Sequence, residues 1–328
     1  MRRAMHRFIS VFAAVPAMMA AQAAAQDAGP APGFPRQMRI VAASAGNTGP
    51  DFIARLIAPK LGEAVRQNVI VENRPSANGI AAAVYVAKAP PDGSVTMMGN
   101  AGTHAINAAL YKKPEYDPVT DFAAISEIAS IPLALVLHPS VPVKSVKDLV
   151  ALAKRLPGKL NVAIAGAAGE LMGNAFKLQA KIDMTNIPYK GGSLAAIAVM
   201  SGEADMVFTS YVVIASHVES GRLRVLGVSS AERMPQLPKV PTIAEQGLPG
   251  YEHEQWYALF APAKTPAPLV QAFYKEVTRI VHMPDVNERL LATGHRVVAG
   301  TPQQLSDKVR REIDKTRTIM RESGMPQQ

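Results

Sequence analysis

One order recurs along this chain and constrains its fold more than any other feature: a short apolar β-type run, a glycine-containing turn, then a helix. Val71-Glu72-Asn73-Arg74-Pro75 marks one such junction and Ile187-Pro188-Tyr189-Lys190-Gly191-Gly192 another, in opposite halves of the chain. In the first half, residues 38–43, 68–71 and 94–98 read as strands. Helices are expected from Pro50 to about residue 65, over 81–88, and as a short piece after the turn at 99–103. Pro50 and Asp51 suit a helix start, because Pro presets the helical φ and a carboxylate complements the positive end of the dipole. The cycle restarts after Pro139, with a helix over 146–155 opened by the capping pair Ser145 and Asp148. Strands are then expected at 161–164, 185–189, 205–208 and 224–228, with helices to about residue 181 and over 194–200.

Strands alternating with helices form a parallel sheet covered on both faces. Right-handed crossovers bring its glycine turns to the carboxyl edge, where such sheets bind ligands. Two halves of this kind predict an α/β fold of two lobes, each a mainly parallel sheet flanked by helices. Pro235, Pro238, Pro241 and Pro249 punctuate a return segment, and a strand over 257–261 would cross back to the first lobe. The chain ends in helices expected over 269–281, over 285–292 and from Thr301, where Thr301-Pro302-Gln303-Gln304 spells a capping box. The expected division is a signal peptide over 1–25, an N-terminal arm over 26–37, a first lobe of 38–137 plus 257–328, and a second lobe of 138–256.

Arg2, Arg3 and Arg7 precede an apolar stretch over 8–19 and the small residues Ala23-Ala24-Ala25, the layout of a secretory signal cleaved before Gln26. Pro16 interrupts that stretch, and it falls short of the roughly 20 apolar residues of a spanning helix. Export to the periplasm is the expectation. The 328 residues include no cysteine, which excludes disulfides, thiolate metal sites, a cysteine nucleophile and a lipid anchor on cysteine. A chain of this length buries enough apolar surface without such staples. The formal charge of +9 includes the three signal arginines. Aromatics make up only 5 % and the basic residues are scattered, so no nucleic-acid partner is expected. Lys308, Arg310, Arg311, Lys315, Arg317 and Arg321 share one terminal helix and read as a solvated face.

The chemistry of the glycine turns is amide hydrogen bonding. Unpaired N–H groups at a helix N-terminus, reinforced by the helix dipole, bind a carboxylate without any Arg or Lys. The candidate ligand-binding residues are Ser44, Ala45, Gly46, Asn47 and Thr48 in the first turn, and Asn100, Gly102 and Thr103 in the third. In the second half they are Ala167, Ala168, Gly169 and Glu170, with Tyr189, Gly191 and Thr209 at the next strand ends. No G-x-G-x-x-G, Walker A, G-x-S-x-G or H-E-x-x-H string occurs, and the histidines are dispersed. No catalytic residue, cofactor or metal is therefore expected. Arg55 is placed to pair with Asp51 at i, i+4; Trp256 and Tyr257 read as packing where the chain recrosses.

The chain resembles the Bug-type extracytoplasmic solute receptors of tripartite tricarboxylate transporters. Besides the two opening strings, the resemblance rests on Ala89-Pro90-Pro91-Asp92-Gly93, Gly102-Thr103-His104-Ala105-Ile106-Asn107, Tyr116-Asp117-Pro118-Val119 and Pro238-Lys239-Val240-Pro241-Thr242. It implies a two-lobed periplasmic binding fold with two connecting strands, capture of a small organic carboxylate by lobe closure, and delivery to membrane permease subunits. A monomer is expected. The first loop departs from the family pattern, with Pro50 where Thr is usual, and Thr209-Ser210 stands where an Asp-Asn pair is common. After Gly166 the family's polar loop is replaced by Ala167, Ala168, Gly169, Glu170 and Leu171. These changes favour an aromatic or weakly charged acid over a tricarboxylate. Glu170 is either a solvated helix-start anion or a group facing the cleft. An exported hydrolase-like enzyme and a sensory partner of a membrane receptor are the competing functions.

Overall fold

The structure, a computed structural model, describes residues 33–46 and 48–328, with Gly166 and Ala167 described by their backbone alone. The expected signal peptide and Asn47 lie outside the described residues. In the first sheet, β1 (Gln37–Ala42), β2 (Asn68–Asn73) and β3 (Val95–Asn100) run parallel. They are linked by α1 (Gly49–Val65) and α2 (Ile80–Ala87). A π-helical turn (Gly102–Ile106) and α3 (Asn107–Leu110) follow, and then the long strand β4 (Phe122–Pro132) runs out of this lobe.

β5 (Ala134–Leu137) opens the second lobe. It is followed by α4 (Val146–Arg155), β6 (Asn161–Ala165), α5 (Gly166–Ala180) and β7 (Thr185–Tyr189). The lobe is completed by α6 (Gly192–Met200), β8 (Met206–Thr209), α7 (Tyr211–Glu219) and β9 (Arg224–Val228). β10 (Glu254–Pro262) returns to the first lobe, which ends with α8 (Ala267–Val281), α9 (Pro284–Ala292), β11 (Arg296–Val297) and α10 (Pro302–Ser323). The strand orders are β11-β4-β10-β3-β1-β2 and β7-β6-β8-β5-β9.

The two-lobed α/β architecture matches the sequence reading, with four strands of each sheet running the same way, β1 to β4 in the first and β6 to β9 in the second. β10 lies antiparallel to β3 and β4, and β5 antiparallel to β8 and β9. β5 and β10 lie where the chain passes between lobes: a chain that leaves on one strand must come back on another running the opposite way. The change of lobe also falls earlier than expected at both crossings. Residues 134–137 hydrogen-bond within the second sheet, and Glu254 already pairs with Pro132 in the first.

Ser229 ties the crossing together and is fully buried. Its N–H donates to the Leu133 carbonyl at 2.9 Å, and its Oγ accepts from the Leu133 N–H at 2.9 Å. The same hydroxyl donates to the His253 carbonyl, while the His253 N–H donates to the Ser229 carbonyl. Each main-chain group at the crossing point thus has a partner despite the break in both sheets.

α10 begins with the expected capping box, Thr301 Oγ1 accepting from the Gln304 N–H and the Gln304 side chain accepting from Thr301 N–H. Its apolar face follows helical spacing. Leu305, Val309 and Ile313 pack with Trp256 and Phe260 in the first lobe, whereas Ile319 and Met320 join the second lobe's core with Ile106 and Leu110. One helix therefore pins both lobes along a single side. At the other end of the described chain, Phe34 packs edge-on against Phe273, with ring centroids 5.0 Å apart.

Candidate functional site

A cavity of about 650 Å³ lies between the lobes. From the first lobe it is lined by the start of α1 (Thr48, Gly49, Asp51, Phe52, Arg55), by Gln255 and Tyr257 of β10, and by Arg289, Thr293 and His295 around the end of α9. From the second lobe come Ala165, Ala168 and Gly169 at the start of α5, Gly192 at the start of α6, and Phe208 to Ser210 with Val212 and Val213 around the start of α7. Ile131 and Leu133, at the crossing, form its apolar back. Four helices, α1, α5, α6 and α7, point their N-termini at it, and none has a side-chain cap. The helices that do carry one, α4 and α10, lie off the cavity, as do the starts of α2, α3, α8 and α9, which carry none. First-turn N–H groups and the positive ends of four dipoles are thus left for whatever the cavity holds.

The Val71-Glu72-Asn73-Arg74-Pro75 string shapes the first of these turns. Asn73, the last residue of β2, donates through Nδ2 to Asp51 Oδ1 at 2.8 Å and to the Ser44 carbonyl at 3.2 Å. Arg55 reaches Asp51 at 2.8 Å through Nε and Asn73 Oδ1 at 2.8 Å through a terminal nitrogen. Asp51 is buried, so its charge depends on these partners. Arg74 is not a free turn cation: it pairs with Glu72 and lies 3.5 Å over the Tyr85 ring. Asn73→Leu keeps the volume but removes the amide that joins Asp51 to the loop. The variant should lose about 2–4 kcal/mol, the cost of stripping hydrogen bonds from a buried charged group. A melting temperature within a degree of the wild type would show that the amide is dispensable.

Three rings stand beside this turn. His295 stacks on Phe52 with centroids 5.7 Å apart and lies 5.5 Å from Tyr257, tilted by 49°. A Cβ added to Gly49 would sit 2.1 Å from the Tyr257 hydroxyl oxygen, so only glycine fits there. Burial pushes the Tyr257 phenol up to about 12 and the His295 imidazole down to about 4. Thr293 Oγ1 is within reach of the Arg289 and Leu290 carbonyls, at 3.0 and 2.9 Å, and spends its one proton there. It therefore accepts from His295 Nδ1–H at 2.8 Å, which leaves Nε2 a bare acceptor, buried and without a partner among the described residues.

The structure brings four of the expected residues to the cavity wall: Thr48, Ala168, Gly169 and Thr209. Ser44, Ala45 and Gly46 belong to the same loop behind it, where Ser44 Oγ and the Ala45 carbonyl accept from the Thr48 hydroxyl. Gly191, at φ +108°, caps α6 one residue before the lining Gly192, and Tyr189 ends β7; neither lines the cavity. Glu170 is half-buried on α5 and is not among the lining residues.

The third turn departs from the expectation. Asn100, Gly102 and Thr103 do not line the cavity, because the turn satisfies itself. The Thr103 N–H donates to Asn100 Oδ1 and the Asn100 N–H to Thr103 Oγ1, both at 3.0 Å, and the Thr103 carbonyl accepts from Tyr116. Sequence reasoning missed Phe52, Gln255, Arg289, Thr293 and His295 as wall residues. The spacing of Thr48, Phe52 and Arg55 on α1, and of Arg289 and Thr293 on α9, marks one helix face each. Nothing in the sequence says that those faces meet.

The family model described as tripartite tricarboxylate transporter family receptor matches residues 53–325. Protein BugT of Bordetella pertussis is 28 % identical over 296 residues, covering 89 % of this chain and 90 % of that protein. Among solved structures, Rpa4515 of R. palustris with adipate is 33 % identical with a TM-score of 0.75, covering 88 % of this chain and 97 % of that one. MatC of Rhodopseudomonas palustris with bound malate is 30 % identical with a TM-score of 0.72, covering 87 % and 99 %.

Proposed function

The chain belongs to the family of tripartite tricarboxylate transporter receptors, solute-binding proteins rather than enzymes, and from that we propose that it captures a small organic acid between its lobes. The observation that carries this reading is the convergence of four uncapped helix N-termini on one cavity. Charge agrees with it. Among the described residues lining the cavity, Asp51 is the one carboxylate and is paired with Arg55, whereas the exposed Arg289 guanidinium has no side-chain partner. An anion entering there meets unpaired donors and a net positive field.

The walls favour one class of acid. Phe52, Leu56, Ile131, Leu133, Phe208 and Val212 make most of the surface between the polar ends apolar. An acid with an aromatic or otherwise weakly charged body fills it without stranding a second carboxylate. The candidate residues of the first loop and of the α5, α6 and α7 starts would hold the carboxylate through backbone amides, Asn47 among them. The protein then works in the periplasm as a monomer, exported through a cleaved signal over 1–25, and hands its ligand to the permease subunits of a tripartite system. Among the described residues no helix is long and apolar enough to cross a membrane.

A thermal-shift panel of benzoate, phenylacetate, adipate, malate and citrate tests this. A ligand at 100 times its Kd adds about 2.7 kcal/mol to the folded state, or roughly 4–5 °C for a chain of this length. The aromatic acids should give the largest shifts. A clear preference for citrate would refute the weakly charged class, and no response to any acid would refute acid capture.

A further inference from the structure

We infer that the Tyr257 hydroxyl is a ligand-binding group, donating to the carboxylate of the captured acid beside the first turn of α1. The inference rests on the acid-capture reading above and adds a side-chain donor to its backbone amides. Tyr257 sits on β10, paired with Asn100 of β3 on one side and Ala129 of β4 on the other, so its backbone position is set by the middle of the first sheet. Its ring is placed by His295, and its oxygen lies against Gly49, the first residue of α1. It lines the cavity.

Tyr257 is half-buried, and a tyrosine hydroxyl in such a place usually finds a hydrogen-bond partner. This one has none among the described residues, although the side chains around it do: Thr48 bonds to Ser44 and Ala45, and Asn73 to Asp51 and the Ser44 carbonyl. The donor is also kept as a donor, because burial holds the phenol protonated far above neutral pH. Gly49 supplies the space: any Cβ there would collide with the hydroxyl and the ring carbons behind it. The arrangement places an O–H beside the uncapped N–H groups of α1, two kinds of donor that an oxyanion can accept together.

Tyr257→Phe tests this without disturbing the ring. The melting temperature of the unliganded variant should equal or exceed that of the wild type, since the lost hydroxyl makes no bond among the described residues. Affinity for the acid that stabilises the wild type most, taken from the five-acid panel, should fall at least about tenfold, as expected for losing a hydrogen bond to a charged group. Equal affinity in the two proteins would overturn the inference. So would a fall of several degrees in the unliganded melting temperature, which would mark the hydroxyl as structural. Should no acid on the panel stabilise the wild type, acid capture itself fails and this inference with it.

Discussion

Gly49→Ala should lower the melting temperature and remove most of the acid binding, although glycine to alanine in a helix normally stabilises. Gly49 is the first residue of α1, where alanine's propensity advantage would be worth up to about 1 kcal/mol. Against it stands a Cβ placed 2.1 Å from the Tyr257 oxygen, 2.5 Å from Cζ and 2.7 Å from Cε1. Such contacts force either the ring or the start of α1 to move, and overpacking of this kind costs about 1–3 kcal/mol. Tyr257 cannot swing away cheaply, with His295 packed beside it and β3 and β4 on either side of its strand. The helix start would therefore shift, taking its amides out of register with the cavity. We expect a loss of about 10- to 100-fold in affinity for the best acid, or roughly 1.4–2.8 kcal/mol. Titration calorimetry on wild type and variant measures this, and a variant that is both more stable and equally tight would show that the packing is looser than the distances imply.

The folded protein should lose stability steeply as pH falls from about 6.5 towards 4. Burial lowers His104 and His253 to about 3 and His295 to about 4, with Lys315 adding to the effect at His253. In the unfolded chain these histidines take up protons near 6.5. Between the two values the unfolded state binds more protons, so acid favours unfolding. Each histidine contributes about 1.4 kcal/mol per pH unit across its window. The contribution is complete above about 6.5 and is lost on the way down to the folded values. His104 is stacked on Phe260 at 3.7 Å, His253 lies at the lobe crossing, and His295 stands in the cavity. Acid thus attacks a core, the crossing and the site together. Three such groups correspond to roughly 5–10 °C of melting temperature per pH unit for a protein of this length. A flat melting temperature between pH 7 and pH 5 would show that these histidines protonate without leaving their places.

Local chemistry explains where the sequence reading succeeded. Thr301 with Gln304, Ser145 with Asp148, and Pro50 with Asp51 are contacts between residues a few positions apart, and the capping box, the Ser145 cap and the helix start appear where those residues stand. The Arg55–Asp51 pair follows from the same helical spacing. Of the strands missed, β11 is only two residues long, and β4 and β5 are apolar runs inside a long segment without glycine turns. They belong to different sheets, and no local signal divides them. The third turn read like the others because its glycine does not distinguish it. Whether a turn's amides are free depends on side chains such as Thr103 and Asn100 folding back, which is a matter of rotamers rather than composition.

Spacing and turn residues were enough to predict two α/β halves with their glycine turns at the strand ends, because helix caps and strand periodicity act over a few residues. They also gave the expectation of amide hydrogen bonding rather than side-chain catalysis. Which turns face each other, and what stands between them, came from the fold. Arg289, Thr293 and His295 arrive at the cavity from more than 200 residues beyond the α1 turn they adjoin. Tyr257 reaches it only because the chain recrosses through Ser229 and lays β10 between β3 and β4. Contacts at such separation are set by sheet order and lobe packing, and neither leaves a mark on the residues nearby in sequence.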